Sequence, residues 1–281
     1  MKPFWQAKIW GLLHDPIYKA LQTNAGRGEQ SFWKSLDAMA DWTDSNFDPE
    51  QSQKVLADRI QLADYIASAS DRGAIGNLSA TVNYNSEGLQ ISHLLSGRLQ
   101  TLKINSHEDL LRDRATFLNR KSEAIRAAIP NDIANDPKAL FWWLWRCLPI
   151  EACRQCDDET LMLMPAETRF PDASIWSHAS MSAALAGAFM GYDRTSEFLH
   201  EKTYQADLSH AYLATFTFSP IQELIKASRK IRDFWAGSWV LHYLSARVSY
   251  KLAQLYGPDS LLYPSLYQQP LIDLWLRQDY P

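Results

Sequence analysis

The sequence predicts a mostly α-helical protein with a small β-hairpin insertion, followed by a β-α-β unit. Apolar residues recur at helical spacing in four segments, which are 1–20, 54–72, 107–129 and 137–147. Short runs that alternate apolar and polar residues lie between positions 73 and 105, and this pattern predicts the hairpin.

The β-α-β unit is predicted from the last third of the chain. Residues 210–218 alternate like a strand, 221–256 have the pattern of a long helix, and 261–264 have that of a short returning strand. The chain stops before such a sheet could close. We therefore expect the sequence to be the N-terminal portion of a longer protein, or to need a partner at this sheet.

The composition is that of a globular protein. The chain has 281 residues, of which 46% are hydrophobic and 21% charged, and this length suffices for two domains. Its formal charge of −4 excludes a polycation, so any nucleic-acid contact must come from a local patch or from a partner subunit.

No targeting or membrane segment is predicted. The most apolar run, 139–150, is too short to cross a bilayer and contains Arg146. The three cysteines argue against a disulfide framework, and Cys153 and Cys156 form a lone C-x-x-C without a second pair. We expect a protein of the reducing cytoplasm, without membrane partners.

A His-Asp doublet, His14-Asp15, lies directly before Pro16 at the end of an apolar segment. A buried imidazole or carboxylate without a partner is costly, and a divalent metal such as Mn, Fe, Ni, Co or Zn can be that partner. A doublet alone is weak evidence, because an isolated pair is more often a core histidine and a capping aspartate. The metal interpretation depends on further ligands downstream.

Two further candidates follow along the chain. In the helix 54–72, Asp64 shares one face with Ile60 and Ala67, so its carboxylate points inward and needs a partner. His178 follows a predicted helix cap at Asp172 or Ser174. A lone helical histidine is more often a core residue than a ligand, so neither residue is decisive alone.

Four segments together resemble one family, the large polymerase/cyclase-like subunit of type III-B CRISPR effector complexes. LLHDPIYKAL resembles the family's L-H-D-P-P-x-K-A-L, and LADYIASASDR is similar to A-D-x-x-(A/S)-S-x-x-x-R. PAETRFPDASIWSH resembles P-A-D-T-R-x-P-D-H-x-I-W-x-H. The stretch FSPIQELIKASRKIRDFWAGSWVLHYLS with LLYPSLYQQPL is similar to the family's P-V-Q and I-Y-P-S-L boxes.

The resemblance implies a circularly permuted HD-type helical domain at 1–205, followed at 206–281 by the incomplete start of a ferredoxin-like palm domain. It implies a shared metal site of His14, Asp15, Asp64 and His178, in which His14 and Asp15 are catalytic. The implied activity is metal-dependent cleavage of single-stranded DNA. Mn, Ni or Co are the expected metals, with Mg as a further option.

The resemblance also implies partners and a nucleotide site. The expected partners are the other type III-B effector subunits, a guide RNA and a single-stranded DNA substrate. Ser219, Gln222 and Arg229 are candidate nucleotide-binding residues, with ATP expected only in the full-length protein. The sequence contains no G-G-D-D motif, so we expect no oligoadenylate cyclase activity from it.

Two departures from the family pattern keep a second interpretation open. Ala173 stands where family members often have histidine, and Glu167 replaces an aspartate. The alternative is a catalytically dead HD scaffold that only docks in the effector complex. A phosphohydrolase of small nucleotides would be preferred only if the pocket were narrow and closed.

Overall fold

The computed structural model of the chain describes residues 2–17, 19, 32–42, 52–69, 89–102, 112–166, 173–193, 211–217, 219 and 221–280. They belong to two compact units, Met1–Ser209 and His210–Pro281, called here the first and the second unit. Among the described helices, none combines the length and the apolar character that a membrane span requires.

The first unit is helical, as predicted. Its helices are α1 (Lys2–Leu13), α2 (Ser52–Ala67), α3 (Arg114–Ala127), α4 (Pro137–Cys156) and α5 (Ile175–Met190). Short 3-10 turns cover Phe32–Ser35, Asp37–Trp42 and Glu159–Leu163. Helix α1 ends earlier than the predicted segment 1–20, because Pro16 disfavours the helical conformation of the residue before it.

Helix α1 lies at the centre of the first unit and contacts α2, α4 and α5. Its apolar residues are spread around its whole circumference, which is typical of a helix enclosed on all sides, and nearly all of its residues are buried. The buried Lys8 places its ammonium over the rings of Phe4 and Phe141, at 5.1 and 5.3 Å from their centroids. Such contacts compensate part of the cost of burying a cation.

Helices α1 and α5 approach each other closely at Gly11. A Cβ atom at this position would lie 2.9 Å from both the Ala183 Cα and the Ser182 carbonyl oxygen. These distances are too short for real contacts, so only glycine fits here without a backbone shift. The glycine thereby sets the spacing between α1, which His14 follows, and α5, which contains His178.

Local signals explain where α4 and α5 begin. The side chain of Asp136 accepts hydrogen bonds from the first turn of α4, whose first residue is Pro137. The Ser174 hydroxyl accepts from the Ser177 amide at the start of α5, which confirms one of the two predicted caps. Both helices are thus fixed at their N-terminal ends.

The predicted hairpin is confirmed. Strands β1 (Leu89–Ser92) and β2 (Leu99–Leu102) pair antiparallel, with Leu89 opposite Leu102 and Ser92 opposite Leu99. The earlier short run predicted at 80–82 lies outside the described residues.

The second unit differs from the predicted β-α-β pattern. It contains helices α6 (Ile221–Lys226), α7 (Ile231–Tyr256) and α8 (Pro270–Asp279), with a 3-10 turn at Pro258–Ser260. Neither the described residues 211–217 nor 261–264 form a paired strand. A strand requires a neighbour for its backbone hydrogen bonds, and no described segment provides one. The ferredoxin-like palm therefore stays a prediction.

The helix predicted at 221–256 is interrupted at 227–230, because Lys230 has the extended conformation of a residue before a helix. Helix α8 was not predicted, although Pro270 at its start and the spacing of Ile272 and Trp275 were available signals. Ile272 and Trp275 are the buried residues of this amphipathic helix.

Candidate metal centre

Three segments of the first unit bring His14, Asp15, Asp64 and His178 together. His14 and Asp15 directly follow α1, Asp64 lies in the last turn of α2, and His178 lies in the first turn of α5. Each residue offers one potential ligand atom, and these four atoms all lie within 4.8 Å of one another. The structure thus brings together the four residues proposed from the sequence.

Imidazole nitrogens and carboxylate oxygens alternate around the cluster. His14 Nε2 lies 3.4 Å from Asp15 Oδ2 and 3.6 Å from Asp64 Oδ1. His178 Nε2 lies 3.4 Å from Asp15 Oδ2 and 3.2 Å from Asp64 Oδ1. Each nitrogen therefore faces the same two oxygens, and each oxygen faces both nitrogens.

This arrangement fits a divalent metal ion. Neighbouring ligands of one metal ion with bonds of about 2.0–2.2 Å lie roughly 3–3.5 Å apart, and the four nitrogen–oxygen distances are close to this range. The Nε2 atoms of both histidines are buried and make no hydrogen bond, despite their nearness to the carboxylates. Two imidazoles with two carboxylates suit Mn, Fe, Ni, Co or Zn.

The orientation of His14 is fixed by the last turn of α1. Its Nδ1 lies 2.6 Å from the Gly11 carbonyl oxygen, and since a carbonyl only accepts, Nδ1 carries the proton. The neutral ring then has its lone pair on Nε2, which faces the carboxylates. A hydrogen bond of this kind is the usual way in which a protein orients a metal-binding histidine.

Each carboxylate also has a partner outside the cluster. The Ser68 hydroxyl, one turn after Asp64, lies 2.7 Å from the Asp64 carbonyl oxygen and 3.0 Å from Asp64 Oδ1, and its single proton is shared between these two acceptors. The Lys19 ammonium, one turn after Asp15, donates to Asp15 Oδ2. Our sequence analysis missed Ser68 and Lys19, although the i, i+4 spacing from each aspartate was a usable signal.

The cluster perturbs the proton affinities of its members. Burial by itself would raise the pKa of Asp15, but His178, His14 and Lys19 outweigh burial and hold that pKa well below its ordinary value. Burial would likewise raise the pKa of Asp64, but His14 and His178 outweigh burial and lower that pKa below its ordinary value. Both carboxylates are therefore ionised at neutral pH, as metal ligands must be.

For His178 the balance favours the protonated ring. Burial would lower its pKa, but the nearness of Asp15 and Asp64 raises that pKa above its ordinary value. A proton on His178 and a metal at Nε2 exclude each other, so the two compete.

We therefore expect metal affinity to rise with pH. Below the raised pKa of His178, each pH unit should tighten Mn²⁺ binding about tenfold, because one proton must leave the ring before the metal binds. Above that pKa the affinity should level off. Titration with Mn²⁺ between about pH 6 and pH 9, followed by the electron paramagnetic resonance of the free ion, measures this dependence. An affinity independent of pH over this range would contradict the assignment of His178.

The other residues singled out in the sequence lie elsewhere. Ala173 precedes α5, where its carbonyl accepts from the Ala166 amide, and its methyl group offers no metal ligand. Glu167 lies outside the described residues. Ser219, Gln222 and Arg229 are exposed residues of the second unit.

Comparisons with known proteins agree on one family. Residues 213–281 match the family model described as "CRISPR-associated protein Cmr2, N-terminal". The chain is 30% identical over 112 residues to the CRISPR system Cmr subunit Cmr2 of Pyrococcus furiosus, a match that covers 40% of this chain and 10% of that protein. It is 28% identical over 102 residues to the Cmr2 subunit of Saccharolobus solfataricus, covering 36% of this chain and 8% of that protein.

The matched segments thus span a tenth or less of these relatives. No solved structure matches the chain. The family model falls within the second unit, where the predicted P-V-Q and I-Y-P-S-L boxes lie. The comparisons confirm the resemblance stated from the sequence: this chain is similar to Cmr2 subunits of CRISPR systems, and its residues 213–281 match the N-terminal model of that family.

Proposed function

We propose that the first unit is an HD-type domain that cleaves single-stranded DNA with the help of a divalent metal ion. The observation that carries the proposal is the cluster of His14, Asp15, Asp64 and His178, whose ligand atoms lie within 4.8 Å of one another. Mn, Ni or Co are the preferred metals, and Mg is a weaker candidate because imidazole suits transition metals better.

The residues present supply what such a reaction requires of the protein. His14 and His178 direct Nε2 atoms at the centre, and Asp15 and Asp64 stay ionised there because their pKa values are lowered. A bound divalent ion supplies a water of lowered pKa as nucleophile and polarises a phosphoryl oxygen. The side chains of His14, Asp15 and Asp64 are between 12% and 19% exposed, so the border of the centre reaches solvent while the Nε2 atoms stay buried.

The substrate and partners follow from the family. The Cmr2 relatives are named as subunits of a CRISPR system, so we propose that this chain also works beside other effector subunits and a guide RNA. Sequence specificity would then come from guide pairing in those partners, by analogy with other RNA-guided effectors. Ser219, Gln222 and Arg229 are exposed and remain candidates for a nucleotide site in a longer protein that binds ATP.

One observation favours the alternative, a catalytically dead HD scaffold. Ala173 provides no ligand atom where family members often have histidine, so the centre has two imidazoles among its described residues. A scaffold would keep the fold and the docking role without cleaving DNA.

A cleavage assay decides between the two functions. The chain is incubated with labelled single-stranded DNA and Mn²⁺, Ni²⁺, Co²⁺ or Mg²⁺, each added alone. The double variant His14→Ala, Asp15→Ala runs beside it, with His93→Ala as a matched control, because His93 is an exposed residue whose side chain hydrogen-bonds within the hairpin.

We expect cleavage with at least one transition metal, complete loss in the double variant, and unchanged cleavage in the control. The rate of cleavage by the double variant should fall at least about 1,000-fold, because a metal centre supplies both the nucleophile and the stabilisation of charge. Absence of cleavage with every metal, from a folded chain at several pH values, would support the scaffold.

A further inference from the structure

Lys19 brings a cation into contact with the metal centre. Its ammonium donates a hydrogen bond to Asp15 Oδ2, the oxygen that also faces both histidines. The side chain is 14% exposed, so Lys19 lies at the border between the buried cluster and solvent.

The geometry leaves Asp15 Oδ2 free to serve two partners. A carboxylate oxygen has two lone pairs, so one can accept from Lys19 while the other points at the imidazole nitrogens. The ammonium of Lys19 has three donors, and among the described residues its acceptor is Asp15. As far as the described residues go, two donors of the ammonium thus have no acceptor, and they can serve a ligand at the exposed border of the centre.

The charges of the site define what that ligand is. Asp15 and Asp64 together carry two negative charges, which a divalent ion balances. Lys19 adds one positive charge, in direct contact with Asp15, to the neutral sum of the two carboxylates and the ion. The loaded centre then has a surplus of one positive charge, which equals the single negative charge of a phosphodiester.

We propose that Lys19 is a substrate-binding residue, whose ammonium contacts a non-bridging oxygen of the phosphodiester held at the centre. The proposal rests on the proposed metal-dependent function of the same site. It assigns Lys19 to the recognition of the anionic backbone and not to the binding of the metal.

Three variants separate this role from a merely structural one. Lys19→Gln keeps a hydrogen-bond donor for Asp15 but removes the charge. Lys19→Met keeps the aliphatic stem and removes both the charge and the hydrogen-bond donors. Lys19→Arg keeps the charge and the donors. Each variant is compared with the unchanged chain for Mn²⁺ affinity, and for KM and kcat with a short single-stranded DNA.

We expect Lys19→Gln to bind Mn²⁺ within about threefold of the unchanged chain, while its KM rises about 10- to 100-fold, the range given by loss of one charged hydrogen bond. Lys19→Arg should restore most of the KM. A tetranucleotide with an uncharged methylphosphonate backbone should bind the unchanged chain and Lys19→Gln equally, because it offers no anion to the ammonium.

The results that overturn the proposal are distinct. If Lys19→Gln has normal KM and kcat, or if it loses Mn²⁺ affinity together with activity, Lys19 does not act on the substrate phosphate. If the unchanged chain neither binds Mn²⁺ nor cleaves DNA, the proposed function itself fails. In that case Lys19 has no substrate to bind, and the proposal falls with the function.

Discussion

Replacing Asp64 by asparagine is expected to weaken Mn²⁺ binding by at least about 100-fold and to abolish DNA cleavage. Mutation of a residue that only hydrogen-bonds to a metal ligand lowers metal affinity roughly 10- to 100-fold. Asp64 is proposed as a direct ligand, so its replacement should lower the affinity further. The helix content should stay the same, because the amide has the same size and still accepts from Ser68. Isothermal titration with Mn²⁺ and far-ultraviolet circular dichroism measure the two effects.

Asp41→Asn is the matched control for Asp64→Asn. It removes the same charge from the same unit, but Asp41 is a partly exposed residue that pairs with Lys2. Exposed ion pairs contribute little to stability, about 0–1 kcal/mol. The Asp41→Asn variant should therefore stay folded and bind Mn²⁺ normally. Equal Mn²⁺ affinities of Asp64→Asn and the unchanged chain would exclude Asp64 as a ligand.

The second large effect is expected at Gly11, where α1 meets α5. In Gly11→Ala the new Cβ would lie 2.9 Å from the Ala183 Cα and the Ser182 carbonyl, so the two helices must move apart. We expect the free energy of unfolding to fall by about 1–3 kcal/mol, even though alanine favours the helix by about 1 kcal/mol. Mn²⁺ binding should weaken as well, because the Gly11 carbonyl orients His14.

Gly237 in α7 provides the contrast, since a Cβ there would meet nothing within 4 Å. Gly237→Ala should therefore raise stability by about 0.5–1 kcal/mol, as expected for a helix interior without steric conflict. Calorimetric unfolding of both variants tests the pair. A stabilised Gly11→Ala would contradict the close packing of α1 on α5.

The sequence was sufficient for features that depend on local patterns. Helices α2, α4 and α5 follow from apolar patterns and caps, α1 follows from its continuous apolar run, and the hairpin follows from alternation. The inward orientation of Asp64 could be predicted because it shares an apolar helix face with Ile60. In the structure Ile60 is buried. The i, i+4 partners of the aspartates, Ser68 and Lys19, were equally local and could have been found.

The sequence patterns could not predict features that depend on contacts between segments far apart in the chain. The strands predicted at 210–218 and 261–264 have suitable residues, but a strand forms only where another segment pairs with it. The convergence of His178 with His14 depends on how closely α5 packs on α1, which the glycine at position 11 permits. Nothing in the pattern around Gly11 distinguishes this contact from an ordinary helical glycine, so it needs the structure.

The central claim is that His14, Asp15, Asp64 and His178 hold one metal ion. The most direct test is a crystal of the chain soaked in Mn²⁺, with anomalous scattering recorded at the manganese absorption edge. We expect one strong peak among these four residues, about 2.0–2.2 Å from Nε2 of each histidine and from one oxygen of each carboxylate. A peak elsewhere, or none among the four residues in a crystal with ordered side chains there, would contradict the metal centre.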